Sequence, residues 1–206
     1  MFDIKALMDV FGLRRLQQLW QDQRGVAALE FALIAPLLLS LYLVTMEVSQ
    51  GIETNKKVSR VGSMVADLIT QQDKITTTEL DAIMAIGESI LQPYNRTKPT
   101  IIITAIQISN DATPKVEVEW SRKLVNGDYS ADALHGDPTT VPEKLKIKDS
   151  FLIRVQSNLS YSPVITWGTQ QKKVLGLTAA FDGISMAETY YLRPRMSASI
   201  PCSNCY

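Results

Sequence analysis

Polar and apolar positions repeat at a helical period through residues 1–24, then give way to an almost unbroken apolar run from Val26 to Met46. In the first stretch Leu7, Val10, Phe11, Leu13, Leu16, Leu19 and Trp20 recur at threes and fours, which predicts an amphipathic helix. Such a helix lies on the inner membrane face with Arg14, Arg15 and Arg24 near anionic head groups; the alternative is a weakly formed segment that is later removed. The apolar run is long enough to cross a bilayer and holds one charge, Glu30. A carboxylate there costs ~2.5–3.5 kcal/mol on insertion scales, so a plain anchor gains nothing from it. Beyond Gly51 the period continues through Val58, Val61, Val65, Leu68, Ile69 and Gln72, predicting one helix of roughly 70 Å from Val26 to Gln72 at 1.5 Å per residue. Gly51 and Gly62 weaken that reading by up to ~1 kcal/mol each.

A second helix is predicted with Thr78 as N-cap and Leu80, Ile83, Met84, Gly87, Ile90 and Leu91 on its apolar face, ended by Pro93 and Asn95. The period then changes to two. Residues 100–109 are β-branched and residues 115–122 (KVEVEWSR) alternate, so the two form an antiparallel hairpin across a turn-rich linker. Residues 124–149, with Gly127, Gly136, Pro138 and Pro142, show no period and read as a long loop. Strands resume at 151–161, with a short apolar piece at 164–167, a loop through Lys172 and Lys173, a strand or buried turn at 175–181, and a last strand at 187–193.

Composition removes more functions than it adds. Lysine plus arginine and aspartate plus glutamate number 21 each, so no net field draws the chain to nucleic acid. His135 is the single histidine and reads as a solvated loop residue. Neither a catalytic triad, a zinc-ligand spacing nor a glycine-rich phosphate loop is present. The reading is therefore no enzyme, no cofactor, no metal and no small-molecule substrate. Cys202 and Cys205 close the chain as C-S-N-C. In an exported domain they form a small local disulfide, with intermolecular or unpaired thiols as the alternative. Basic residues barely orient the chain: Lys5, Arg14, Arg15 and Arg24 precede the apolar run, and Lys56, Lys57 and Arg60 follow it. The preference for a cytoplasmic N-terminus is slight.

The string Arg24-Gly25-Val26-Ala27-Ala28-Leu29-Glu30-Phe31, at the head of a full-length apolar helix and after a basic leader, resembles a prepilin signal. With Ala32, Pro36 and Glu47 following, it is similar to the TadE-like pseudopilins of the tight-adherence (Tad, or Flp) pilus. The end of the chain, Tyr190-Tyr191 and Arg193-Pro194-Arg195, also looks like the end of many TadE-like proteins. A D-x-S-x-S metal string, found in related TadG-type proteins, does not occur here. The resemblance implies cleavage between Gly25 and Val26 by a prepilin peptidase. It implies assembly through Glu30, Phe31 and Pro36, with Glu30 neutralising the freed amine of a neighbouring subunit. Pro36 is expected to kink the helix, and Glu47 to sit solvated at the far interface.

The expected fold class is α+β: an N-terminal transmembrane helix running on into a long pilin-like helix, a second helix, then a mainly antiparallel sheet. Residues 1–25 form a cytoplasmic leader, 26–50 the transmembrane helix and 51–206 a periplasmic head. The expected partners are the inner membrane, prepilin peptidase, other pilins and pilus assembly proteins. The rival reading is an uncleaved single-pass periplasmic binding or sensor domain that makes its contacts through residues 124–149.

Overall fold

A computed structural model describes residues 25–94, 96–163 and 184–205. The expectations for the leader, for Asn95 and for residues 164–181 lie outside these. Helix α1 runs unbroken over Val26–Thr70 and helix α2 over Thr77–Ile90. Five strands follow: β1 Thr100–Ile108, β2 Val116–Val125, β3 Asp128–Ser130, β4 Ser150–Tyr161 and β5 Ile184–Leu192. They form one sheet in the order β3-β2-β1-β4-β5, with every neighbouring pair antiparallel. The α+β class and the predicted 100–109/115–122 hairpin are both present. The chain to Met46 and the chain from Glu47 make separate compact units. In the second unit, the C-terminal part of α1 and α2 lie on one face of the sheet.

The period written into residues 58–69 is the reason α1 packs. Val58, Val61, Val65, Ala66 and Ile69 join Leu80 and Met84 of α2 and Ile101, Ile103, Ala105, Ile153, Val155 and Leu159 of the sheet in one buried cluster. Gly62 and Gly87 mark the close approaches. A Cβ on Gly62 would lie 2.7 Å from Tyr190 Cδ2, and one on Gly87 3.0 Å from Val65 Cγ2. Of the two glycines that weaken the helical reading of α1, Gly62 is therefore where its neighbours come nearest, whereas a Cβ on Gly51 would meet Tyr161 only at 3.9 Å.

Two local assignments need correction. The N-cap of α2 is Thr76, not Thr78: its Oγ1 accepts from Glu79 N (3.3 Å) while its own N–H donates to Glu79 Oε2 (2.8 Å). Of the consecutive threonines 76, 77 and 78, only Thr76 has a glutamate three residues on, as this reciprocal cap requires. Residues 124–149 are also not a single loop. Strand β2 continues to Val125, and Asn126 and Gly127, at φ 55° and 95°, turn it into β3. Asn-Gly is the pair suited to a two-residue hairpin with both φ values positive. The chain then returns along β2, with Val118 N donating to Asp137 O (2.9 Å) and Thr139 N to Val116 O (2.9 Å). Val141 and Leu145 cover Ile106, Ile108 and Leu152 on the second face of the sheet.

The same face explains an irregularity in β2. Pairing jumps from Ala105↔Trp120 to Ile106↔Val118, leaving Glu119 as the extra residue of a bulge. Strict alternation would put Val116, Val118 and Trp120 on one side. The bulge instead sends Trp120 to the helix-side core, while Val116 packs with the second cluster.

Candidate functional site

The N-terminal candidate residues lie at the start of α1. The helix begins at Val26, directly after Gly25. Among the described residues, a Cβ built on Gly25 would meet nothing within 4 Å, so neither packing nor a positive φ requires glycine there. Glu30 is exposed one turn into the helix, and Phe31 beside it is 72% exposed. Pro36 sits inside α1 without ending it; lacking an N–H, it leaves the Ala32 carbonyl without its usual intrahelical donor. The helix is long and apolar enough to cross a membrane, its most apolar window having a mean hydropathy of 2.1 with none of it buried. The outward-facing Leu33, Leu37, Leu41 and Tyr42 side chains make this a surface built for lipid or for other helices.

Glu47 departs from the sequence expectation. It is buried rather than solvated, and its Oε1 accepts a hydrogen bond from the buried Tyr161 hydroxyl at 2.6 Å. The Tyr161 ring stacks on Tyr94 with centroids 5.5 Å apart, and the Arg96 guanidinium lies over Tyr94. The Tyr94 hydroxyl in turn accepts from Ser162 N at 2.7 Å. Sequence spacing cannot pair residue 47 with residue 161; the packing of α1 against β4 does. Burial first, and then the bond to Glu47, raise the Tyr161 pKa above the usual phenol value.

This bond yields a stability prediction. Tyr161→Phe removes the donor to a buried carboxylate and costs about 1–3 kcal/mol at neutral pH. An acid whose folded pKa is raised contributes stability below its unfolded pKa of ~10, and that contribution falls as pH rises beyond it. Melting of the detergent-solubilised full chain from pH 7 to 11 should therefore show the variant weaker at pH 7 and flatter above pH 10. Equal slopes for the two proteins contradict the assignment.

At the far end, Cys202 and Cys205 form a disulfide. The tail containing it is tied to the segment between the helices: Ile75 N donates to Pro201 O (3.0 Å), Ser203 N to Ile75 O (3.2 Å) and Thr77 N to Asn204 Oδ1 (2.9 Å). The loop histidine, His135, has a side chain 56% exposed with Nδ1 3.7 Å from Glu119 Oε2. Among the described residues, no group of three or more His, Cys, Asp and Glu side chains is placed to hold a metal.

Residues 25–66 match the model of a family described as TadE-like protein. The match lies within α1 and its preceding glycine, so α2 and the sheet fall outside it. No curated protein and no solved structure matches the chain.

Proposed function

We propose, from the TadE-like match at residues 25–66, that the protein is a minor pilin or pseudopilin that assembles or primes a Tad pilus. A prepilin peptidase of the inner membrane removes the leader after Gly25. The new N-terminus is Val26, the first residue of α1, and Glu30 is then its fifth residue. Residues 26–46 hold the subunit in the inner membrane as a single-pass anchor, with the head in the periplasm, until they pack on neighbouring subunits. The role is structural rather than catalytic, and its partners are the peptidase, other pilins and the assembly proteins.

The observation that carries this reading is the helix start. A glycine whose Cβ would meet nothing among the described residues stands directly before a helix whose fifth residue is its only acid within an otherwise apolar, exposed turn. An α-amine and a carboxylate at a bilayer edge are each less unfavourable when paired. The N-terminus of the protein recovered from membranes tests the cleavage: with the peptidase present it is Val26, and Met1 as the N-terminus contradicts the proposal. Glu30→Ala tests the pairing. Cleavage is unchanged, while recovery of the subunit in pili falls about tenfold or more, the equivalent of one lost charged hydrogen bond. Normal incorporation of Glu30→Ala rejects the pairing and leaves the cleavage intact.

A further inference from the structure

The foot of the head, where α1 meets the end of β4 and the start of β5, holds a groove of about 580 Å³. Val48, Ile52, Tyr161, Ile184 and Met186 form its apolar lining, and the polar Glu47, Asn55, Lys56 and Ser185 line it as well. Three of these side chains are large, apolar and half out: Val48 is 49%, Ile52 53% and Ile184 44% exposed. Two belong to a longer stripe. Leu37, Leu41, Val44, Val48 and Ile52 follow one another at spacings of three and four, so they share one face of α1, and all five are exposed. The apolar spacing of the membrane run thus continues along α1 to Val48 and Ile52, which line the groove.

We propose that this groove binds a phospholipid of the surrounding bilayer, its acyl chain against Val48, Ile52 and Ile184 and its phosphate on the Lys56 ammonium. The inference rests on the membrane reading of residues 26–46. With Glu30 at the cytoplasmic interface, ~30 Å of hydrocarbon at 1.5 Å per residue ends about twenty residues later. That is the level of Val48 and Ile52, at the boundary between acyl chains and head groups. Lys56, one turn beyond Ile52, is at the height of the phosphates, where a flexible ammonium finds anionic oxygen. The arrangement also accounts for Glu47. A carboxylate at this depth is costly in contact with lipid, and here it is turned into the head and bonded to Tyr161. Glu47 borders the groove but is only 4% exposed with its carboxylate bonded to Tyr161, while Val48 beside it is 49% exposed.

The test uses the full chain in vesicles of phosphatidylethanolamine and phosphatidylglycerol containing a phospholipid with a diazirine on its acyl chain. After irradiation, lipid adducts are located by mass spectrometry of peptides. Adducts are expected at residues 48–52 and 184–186 as well as in 26–46. Ile184→Glu and Ile52→Glu, both at exposed positions, should lower the adduct yield at 184–186 about tenfold, in line with the loss of one buried aliphatic contact, and leave 26–46 labelled as before. Adducts confined to 26–46 overturn the groove proposal while the membrane reading stands. Adducts in neither region overturn both. Yields at 184–186 that are unchanged in the two variants overturn it as well. Amine cross-links joining Lys56 of two copies, with no adduct at 184–186, assign the groove to a second copy and also reject the lipid.

Discussion

Gly25→Val is expected to abolish removal of the leader while leaving the fold untouched. The two halves of that result come from different facts. A Cβ at position 25 meets nothing within 4 Å among the described residues, and residue 25 has no positive φ; a side chain there neither clashes nor strains the backbone. Substitution at an open surface position moves stability by no more than about 0.5 kcal/mol. A peptidase, in contrast, must take the backbone on both sides of the scissile bond into an extended groove, where the first atoms to collide are those of a branched side chain. Membranes from cells expressing the variant should therefore contain only chain that starts at Met1, with a head that melts at the wild-type temperature. Pilus formation should be lost with it, because an unprocessed chain has no free amine at Val26 for the Glu30 of a neighbour. If Gly25→Val is processed normally, Gly25 does not define the cleavage site; if it is unprocessed and its head melts early, the glycine has a structural role that the packing at residue 25 does not show.

The contrast between Gly25 and Gly62 shows what the sequence could and could not disclose. Both are glycines in or beside an apolar helical pattern. Gly25 stands out by its place between a basic leader and a membrane-length run, a relation visible along the chain. Gly62 is explained by Tyr190 and Ser157 at its Cα, a relation visible only after β4 and β5 lie under α1. The same division holds elsewhere. Periodicity discloses α1, α2, β1, β2 and β4 because their buried faces repeat at the period of their own backbone. It misses Thr76 and the β2–β3 turn, although T-x-x-E and Asn126-Gly127 were both there to be read. Three adjacent threonines blurred the first, and the surrounding glycines and prolines the second. Glu47 was legible only as a charge near the end of the run. Its burial depends on Tyr161, 114 residues away in sequence, and no local pattern specifies that contact. The bulge at Glu119 is of the same kind, since it appears only when β2 is placed against β1.

Trp120→Ala should be the most destabilising single substitution in the head. Trp120 is 1% exposed, pairs with Ala105 across the sheet and donates its indole N–H to the carbonyl of Ile200 at 2.7 Å. Truncating a buried aromatic to alanine costs about 3–5 kcal/mol through lost contacts and the cavity that remains. Here a second loss is added, because Ile200 is itself fully buried and its carbonyl is left without this donor, at about 1–3 kcal/mol. At roughly 2–4 °C per kcal/mol for a chain of this size, the melting temperature should fall by about 10 °C or more. Trp120→Phe separates the two terms: it keeps most of the ring volume and removes only the donor, so its loss should lie well below that of alanine. The bond also ties the tail to the core. Ile200 precedes the segment that pairs with Ile75 and carries the Cys202–Cys205 disulfide, so proteolysis of either variant should begin in residues 194–205 before the sheet is cut. If the tail remains protected in Trp120→Phe, then the disulfide and the bonds to Ile75 and Thr77 are sufficient to hold it, and the indole acts through packing alone.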